Sequence, residues 1–428
     1  MHSKQILIGT VMLTSAFAVT SACSKAQPDD APNGSSLSFA SPPPGATVSA
    51  DERQVYLNAA RTSWNLVNRI TEPSTGLARA HADYSYVTVW DITGALAATY
   101  AAHELGFINT ASYDARISRI LRTLSTIQLF DRVAFNRIYD AKTTRLVDNA
   151  EQLSNVGAGY SSVDIGRLLV WLRIIAVKQP KYAPLATQIV RRLDMSKLLD
   201  NGLLNAVEVD PKSGQRRNFH ETEIGYQQYA LTGFSLWGAK VDNSGLDVRD
   251  NVSQVNIFGV DVLTDRRGND RVMSEPFIMI GLELGYRSPQ LSRQAAQVLA
   301  AQNARYQKTR IVTAVTEDAL PDPPDYFYYY SVWHHGKPFV VEPPGDGRVL
   351  DQPRWVSAKA AFAWNALMPS DYTRLLLTTV RPAATRAGWG AGVYERTLRP
   401  TGIPSLNTAA LIMESALYKI RGRPILSQ

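Results

Sequence analysis

The sequence contains a single cysteine, Cys23, among its 428 residues, so no disulfide can form within the chain. It also contains no HExxH motif, no Walker loop, no GxGxxG after a strand and no GxSxG elbow. Nucleotide-binding and α/β-hydrolase functions therefore lack support. The adjacent pair His334 and His335 is more typical of a loop than of a metal-ligand set, and we expect neither a metal nor another cofactor.

The N-terminus has the features of a bacterial export signal. Lys4 is followed by an apolar stretch over 6–19 and then by Thr20-Ser21-Ala22-Cys23, where small residues precede the cysteine as in a lipoprotein lipobox. The sequence predicts acylation of Cys23 and a periplasm-facing lipoprotein held to the inner or outer membrane by its lipid. The alternative is an ordinary signal peptide that is cut nearby and leaves a free cysteine.

Composition divides the chain into three parts. A signal peptide over 1–22 is followed by a Ser- and Pro-rich segment over 23–50, which is typical of a flexible tether. The remaining residues, 51–428, have no linker-like interruption and predict one folded domain.

Positive charge is in modest excess, with 45 Lys and Arg residues against 38 Asp and Glu residues. The basic residues are dispersed, as at Arg116, Arg119 and Arg122. Dispersed charge does not favour a nucleic-acid partner, whereas an exported protein can expose it on solvated faces or towards an anionic envelope surface.

The domain has the apolar periodicity of helices and few alternating strand patterns. We therefore predict an all-α fold in which helical hairpins form a closed ring, with long functional loops between them. Candidate helices lie near 51–71, 88–105, 111–128, 162–178, 181–193, 221–237, 274–285, 289–307, 356–367, 370–380 and 406–420.

Three of these segments begin with an acid, an isoleucine and an early glycine: Asp91-Ile92-Thr93-Gly94, Asp164-Ile165-Gly166 and Glu223-Ile224-Gly225. A helix N-terminus favours an ionised carboxylate through its unpaired amides and its dipole. Several such ends that converge would form an acidic pocket, and paired carboxylates carry out glycoside hydrolysis. The alternative for each acid is plain helix capping, since Thr88-x-x-Asp91 and Ser161-x-x-Asp164 both fit a capping box.

Long polar segments over 196–218, 242–271 and 320–352 separate the helices. The last contains an aromatic run over 326–330, followed by Trp333. Aromatic rings stack on sugar rings, so such a loop beside carboxylates suits a saccharide cleft. The alternative is a loop that closes one end of the core.

The strings YSYVTVWDITGALAATYAAHELG (84–106), NRIYDAKTTRLVDN (136–149), GYSSVDIGRLL (159–169), SEPFIMIGLELGY (274–286), TEDA (316–319), WVSAKAAFAWNAL (355–367), GWGAGVYE (388–395) and NTAALIMESALYK (407–419) resemble a family of bacterial envelope proteins of unassigned function. That family is similar to the glucoamylase-like (α/α)6 toroid clan, which includes endo-β-1,2-glucanases and the glucoamylase-like domains of cyclic glucan synthases. The resemblance covers most of 51–420 and implies an (α/α)6 toroid.

The resemblance also implies a substrate cleft. It places five acids along that cleft, namely Asp91, Asp140, Asp164, Glu223 and Glu317, with Trp90, Tyr139 and Tyr160 as walls. To these we add Tyr226, Trp333, Trp389 and Glu395 as substrate-binding candidates. One departure stands out: Gln227, Gln228 and Tyr229 occupy the positions where the glucanases carry a Ser-Glu-Ala-Arg run that supplies an acid.

We therefore predict an envelope-anchored glycoside hydrolase that acts on a glucan or exopolysaccharide. An inverting mechanism would use Glu223 as acid and Asp164 or Asp91 as base, with Glu317 and Asp318 in reserve. A non-catalytic lipoprotein that binds an exopolysaccharide and assists its synthesis or export machinery is the alternative. A lyase acting on an acidic polymer is a third possibility.

Overall fold

The computed structural model describes residues 48–242, 251–345 and 347–427. The predicted signal peptide, the lipidation site Cys23 and nearly all of the predicted tether lie outside these residues. Within them, no helix is both long and apolar enough to cross a membrane.

Helices form the framework, and each predicted helical segment contains one. The short α8 continues as a π-helical turn over Ile280–Leu284. The helices are α1 Ala50–Ile70, α2 Val89–Glu104, α3 Thr110–Thr126, α4 Ser162–Lys178, α5 Ala183–Val190, α6 Met195–Leu198, α7 Tyr226–Ser235, α8 Glu275–Met279, α9 Pro289–Thr309, α10 Ala358–Leu367, α11 Asp371–Val380 and α12 Leu406–Arg421.

The prediction of an all-α protein is wrong in one respect, because short antiparallel sheets cover part of the helical framework. The segments predicted as long polar loops contain strands. The strands are β1 Tyr86–Thr88, β2 Leu129–Phe130, β3 Ala134–Phe135, β4 Ile138–Asp140, β5 Leu146–Val147, β6 Gly159–Tyr160, β7 Leu199–Asp200, β8 Leu203–Val209, β9 Arg216–His220, β10 Val252–Ile257, β11 Val260–Asp265, β12 Glu317–Ala319, β13 Phe327–His334, β14 Lys337–Glu342, β15 Trp355–Ser357, β16 Ala384–Thr385, β17 Gly388–Trp389 and β18 Gly392–Tyr394.

These strands form several separate small sheets. Their orders are β1-β4-β5, β2-β3, β6-β8-β7 with β9 beside β8, β10-β11, β12-β13-β14, β15-β18 and β16-β17. The register Glu317↔Tyr329 links β12 to β13, and Tyr329↔Glu342 links β13 to β14.

Six helices, α2, α4, α7, α8, α10 and α12, pack against one another in sequence, and α12 also packs against α2. They are buried on most sides, as expected for helices that neighbours surround. In α10, for example, every residue is buried. By contrast, α3 buries a single stripe at three- and four-residue spacing, and it packs on the outside of α2.

One early glycine of the repeated pattern serves this close packing. A Cβ atom on Gly166 in α4 would lie 2.5 Å from the Cα atom of Ala230 in α7. A Cβ on Gly94 in α2 would lie 3.5 Å from the Cβ of Ala410 in α12, which is an ordinary van der Waals contact. The missing side chain therefore lets α4 approach α7 closely.

Short strands lead directly into three of the six packed helices. β1 ends at Thr88, the N-cap of α2, and β15 ends at Ser357, the N-cap of α10. β6 is followed at once by Ser161, the N-cap of α4. Strand residues and the first turns of these helices therefore lie side by side.

Candidate active site

Four carboxyl groups from separate segments act on one another electrostatically. The charges of Glu223 and Asp164 raise the pKa of Glu317, and the charge of Asp91 raises that of Asp164. Burial is the largest cause of the raised pKa of all four groups. We call Asp91, Asp164, Glu223 and Glu317 the carboxyl cluster.

Asp91 is a helix cap. Its Oδ2 accepts hydrogen bonds from the backbone N of Thr88 at 3.1 Å and from Thr88 Oγ1 at 2.7 Å. Its own backbone N donates to Thr88 Oγ1 at 3.1 Å, which completes a capping box. The side chain is almost fully buried, and burial raises its pKa.

Asp164 holds the equivalent position in α4 but does not cap it. Instead, Glu221 reaches in from the loop before α7: its Oε1 accepts from Ser161 Oγ at 2.7 Å and its Oε2 accepts from the backbone N of Val163 at 2.9 Å. Within the described chain no donor bonds to the Asp164 carboxyl, which is partly exposed. Burial, followed by the charge of Glu221, raises the pKa of Asp164 to about 7.

Glu223 does not begin a helix, so that prediction is wrong. α7 begins at Tyr226 after an N-cap at Gly225, which has a φ of 91°. This backbone conformation is unfavourable for a residue with a side chain. The Oε2 atom of Glu223 accepts from Asn269 Nδ2 at 2.9 Å and from an Arg271 amino group at 3.1 Å, whereas Oε1 is buried without a partner among the described residues. Burial raises the pKa of Glu223 to about 7, although Arg271 opposes the rise.

Glu317 begins β12 and is partly exposed, and no hydrogen-bond donor to its carboxyl is found in the described parts of the chain. Burial and the charge of Glu275 raise its pKa well above the ordinary value, with smaller contributions from Glu223 and Asp164, while Lys359 lowers it. These surroundings favour the protonated form of the Glu317 carboxyl.

The neighbouring acids Glu275 and Asp318 belong to a buried ion-pair network. The Lys359 ammonium lies 2.5 Å from Glu275 Oε2 and 3.5 Å from Asp318 Oδ1, and all three side chains are fully buried. Asp318 Oδ2 also accepts from Trp355 Nε1 at 2.8 Å. Asp318, a predicted reserve acid, is therefore committed to this buried network.

The two glutamines that replace the expected acid also have structural partners. Gln228 Oε1 accepts from the backbone N of Gly225 at 2.6 Å and caps α7. Gln227 is fully buried, and its Oε1 accepts from Arg267 at 2.6 Å. Neither amide belongs to the carboxyl cluster.

Aromatic side chains line the carboxyl cluster. The Trp90 ring meets the Tyr226 ring edge to face at 5.7 Å, and the charges of Glu317, Glu275 and Glu223 all act on Tyr226. Tyr329 pairs with Glu317 across β12 and β13, and the Arg271 guanidinium lies 4.1 Å from its ring centre. The sequence analysis named Trp90 and Tyr226 but did not single out Tyr329.

Three other predicted cleft residues have contacts of a different kind. Tyr139 is fully buried, with its hydroxyl donating to the Gln128 carbonyl at 2.8 Å. Asp140 accepts from the backbone N of Thr143 at 2.6 Å and shapes a turn. Tyr160 packs on Phe130, and its hydroxyl donates to the Lys197 carbonyl at 3.1 Å. The structure gives all three packing or turn roles.

The remaining candidates also lie in packed surroundings. Glu395, predicted to bind substrate, is instead held by partners within the protein: Arg305 pairs with it at 2.6 Å and the Tyr330 hydroxyl donates to it at 2.7 Å. Trp389 is buried against Phe362, with ring centres 5.1 Å apart. Trp333 is partly exposed on β13.

Sequence analysis missed the positive charges of the site. Arg167 is fully buried in α4, with its guanidinium 4.2 Å from the centre of the Trp90 ring. Its charge lowers the pKa of both Asp91 and Asp164. The charge of Arg137 likewise lowers the pKa of Asp164 and that of Glu221. Arg137 and Arg167 lie within strings that carried the family resemblance, but no local pattern distinguished them from surface arginines.

One group of side chains in the described ranges has the composition of a metal site: His334, His335 and Glu342. It lies at the β13–β14 hairpin rather than among the four carboxyls. Arg271 connects the two places, because it pairs with both Glu223 and Glu342.

The fold is glucoamylase-like. A glucoamylase-like protein from Bacteroides caccae matches with a TM-score of 0.64 at 13% identity, over 86% of this chain and 94% of its own. The endo-β-1,2-glucanase from Chitinophaga pinensis, solved with sophorotriose and glucose, gives 0.64 at 13% over 88% and 94%. The endo-β-1,2-glucanase from Talaromyces funiculosus, solved with sophorose, gives 0.59 at 9% over 86% and 85%.

Within that fold class, the chain belongs to the DUF3131 family, described as proteins of unknown function, whose model matches residues 58–422. The resemblance to an envelope family of unassigned function is thus confirmed at the level of the family. No curated protein matches the chain in sequence.

Proposed function

We propose that this protein is an envelope-anchored glycoside hydrolase that cleaves a glucan or an exopolysaccharide at the carboxyl cluster. The observation that carries the proposal is the state of Asp164 and Glu317. Both carboxyls are partly exposed, neither has a hydrogen-bond donor among the described residues, and each has a raised pKa. Structural carboxylates are ordinarily satisfied by donors, whereas catalytic carboxyls have oxygens available for substrate or water.

We infer that the helices form an (α/α)6 toroid around this site. Support comes from the closed sequence of contacts among α2, α4, α7, α8, α10 and α12, with α1, α3, α5 and α11 packed outside α12, α2, α4 and α10 respectively. The similar solved structures have the fold of the same clan. Ligand sites in such folds lie where first turns and loops converge, which agrees with the position of the carboxyl cluster.

Glu317 is the better general acid and Asp164 the better general base. Burial and the nearby charges of Glu275, Glu223 and Asp164 raise the pKa of Glu317 well above its ordinary value and favour its protonated form. Asp164 lies in the first turn of α4, where the helix dipole favours the ionised form. Glu223, fixed by Arg271 and Asn269, supports the acid electrostatically, although sequence analysis favoured it as the acid itself.

The reaction follows from these roles. Glu317 donates its proton to the glycosidic oxygen as the bond to the anomeric carbon breaks, and Asp164 removes a proton from the water that attacks the opposite face of the sugar. We propose inversion of the anomeric carbon. The two carboxyls belong to separate segments, Glu317 at the start of β12 and Asp164 in the first turn of α4, and an inverting pair has a water between acid and base.

Hydrolysis is tested by incubating the purified protein with a panel of linear glucans, with β-1,2-glucan first because two structurally similar proteins are endo-β-1,2-glucanases. Glu317→Gln and Asp164→Asn should each reduce turnover by a factor on the order of 10²–10⁴. Asp210→Asn is the matched control, because Asp210 shapes an exposed turn. Proton NMR of the first product gives the anomer. Equal turnover in all four proteins would refute the assignment.

The acid and base roles can be separated with an aryl glycoside whose leaving group needs no proton. Glu317→Gln should regain much of its turnover on this substrate, whereas Asp164→Asn should not, because attacking water still needs a base. If Asp164→Asn rather than Glu317→Gln regains turnover on this substrate, Asp164 is the acid and Glu317 the base.

A non-catalytic polysaccharide-binding lipoprotein that assists assembly or export remains the second proposal. Gln227 and Gln228 favour it, since both occupy structural positions where an acid was expected. A binder would show graded losses of affinity in the same variants and no product with any glycan. A lyase would give an unsaturated sugar, detectable by its ultraviolet absorbance.

We also propose that Cys23 is acylated and anchors the domain to a membrane. The motive is the small-residue sequence before Cys23. Cys23→Ser should move the protein from the membrane fraction to the soluble fraction. Its retention on membranes after a high-salt wash would contradict lipid anchoring.

A further inference from the structure

We propose that His334, His335 and Glu342 form a divalent-cation site, suited to Zn²⁺, on the β13–β14 hairpin. The sequence alone predicted no metal in this protein. It does not depend on the proposed hydrolysis.

The three side chains converge on one point. His334 Nε2 lies 3.0 Å from Glu342 Oε2, and His335 Nε2 lies 3.1 Å from the same oxygen. One ligand atom from each residue lies within 4.8 Å of the other two. Two imidazole nitrogens and one carboxylate oxygen form a donor set that Zn²⁺ prefers, and small rotations would bring them to about 2.0–2.2 Å from a common ion.

A second carboxylate orients the first imidazole. Asp270 Oδ1 lies 2.6 Å from His334 Nδ1, so the proton of this imidazole faces Asp270 and Nε2 is directed towards Glu342. Ligating histidines in zinc sites ordinarily have such a carboxylate partner on the other nitrogen. Asp270 also accepts from the backbone N of His335 at 3.1 Å, which fixes the turn that carries both imidazoles.

The contact between His334 and Glu342 departs from the geometry of a flat hairpin. The registers His334↔Lys337 and Tyr329↔Glu342 place His334 and Glu342 five residue pairs apart, about 16 Å in a flat ladder. Within β14, Phe339 has a φ of 55°, an uncommon conformation for a bulky residue. Strained backbone of this kind is concentrated at functional positions, and here it accompanies the approach of His334 to Glu342.

The surroundings suit a three-ligand site with an open position. Glu342 is nearly buried and His334 is 8% exposed, while the His335 side chain is 43% exposed, so solvent reaches one side. Arg271 pairs with the other oxygen of Glu342, which leaves Oε2 for the cation. The two negative charges of Asp270 and Glu342 together offset the positive charge of Arg271 and part of the charge of the ion.

The test measures Zn²⁺ affinity by competition with a chromophoric chelator, in a chain carrying Cys23→Ser so that no thiol competes. The starting protein should bind one equivalent. Asp270→Asn should weaken binding about 10- to 100-fold, as loss of an orienting carboxylate does. His335→Ala should weaken it further, while His220→Ala, the matched loss of an exposed histidine beside Asp200, should leave it unchanged.

Co²⁺ provides a second readout. Bound at this site in the starting protein, it should show the intense visible bands of a four-coordinate ion, and His335→Ala should abolish them. Zn²⁺ should also raise the melting temperature of the starting protein but not that of His335→Ala. Absence of binding, or equal affinity in the starting protein and His335→Ala, would overturn the proposal.

Discussion

Replacing Asp164 by asparagine is expected to stabilise the protein while it removes hydrolysis. The Asp164 carboxyl has a pKa of about 7 in the folded protein, compared with 3.8 for a model carboxyl. Because the folded-state value is the higher one, the stability linked to this group is complete below pH about 4 and is lost as the pH rises to about 7. At neutral pH the folded protein therefore carries a free-energy cost, because the poorly solvated Asp164 carboxyl must either ionise or take up a proton above its ordinary pKa.

The size of this cost follows from the difference between the two pKa values. Above pH 7 this difference corresponds to a cost on the order of 4 kcal/mol. Because Asp164 is partly exposed, solvent screening lowers the cost towards about 2 kcal/mol. Asparagine has the shape of the protonated carboxyl and never ionises. We expect Asp164→Asn to increase the free energy of unfolding by about 2 to 4 kcal/mol at pH 8, with a smaller gain at pH 5.

Urea unfolding at pH 8 and pH 5 measures the gain, and Asp91→Ala provides the comparison. Asp91 completes a capping box, so the loss of its carboxyl should cost about 1 kcal/mol at pH 8. If Asp164→Asn also lowers the free energy of unfolding at pH 8 and leaves hydrolysis intact, Asp164 is a cap and the reasoning is wrong.

Two further substitutions test the surroundings of the cluster. Arg271→Gln leaves Glu223 and Glu342 without their shared cation, so the free energy of unfolding should fall by about 3–5 kcal/mol at pH 8 and by less at pH 5, where Glu223 takes up a proton. Equal losses at the two pH values in urea unfolding would contradict this. Gly166→Ala should lower the free energy of unfolding by about 1–3 kcal/mol, because the new Cβ meets Ala230. Gly268→Ala, in which the nearest atom to the new Cβ lies at 3.4 Å, is the control, and similar melting temperatures for the two variants would show that α4 can move.

Much of the helical framework was predictable because helix periodicity is a local signal. The segment at 88–105 agrees with α2, and the capping residue Thr88 was part of the predicted pattern. The strands were missed because most are two to six residues long, too short for alternation to stand out. The aromatic run over 326–330 also conceals alternation: Tyr328 and Tyr330 are buried, while Tyr329 faces Arg271.

The candidate site was only partly predictable, because its partners come from distant segments. The Glu-Ile-Gly pattern at Glu223 looks like the two true helix starts, yet the positive φ of Gly225 delays α7 to Tyr226. Arg271 and Asn269 reach Glu223 from beyond the β10–β11 hairpin, more than 40 residues along the chain. Periodicity carries no information about such pairings, so Arg271 and Asn269 could not be identified from the sequence as partners of Glu223.

Capping and catalysis are usually posed as alternatives for an acid at a helix start, but here two acids in the same motif differ in role. The amides at the start of α2 are capped from within, by Thr88 and Asp91. Those at the start of α4 are capped from outside, by Glu221, which lies 60 residues beyond Ser161. Because Glu221 satisfies these donors, the carboxyl of Asp164 is not needed for capping. A carboxyl that is only partly exposed, has no hydrogen-bond donor and feels the charge of a second such group lowers stability when it ionises, and such a cost is expected where the group serves another purpose.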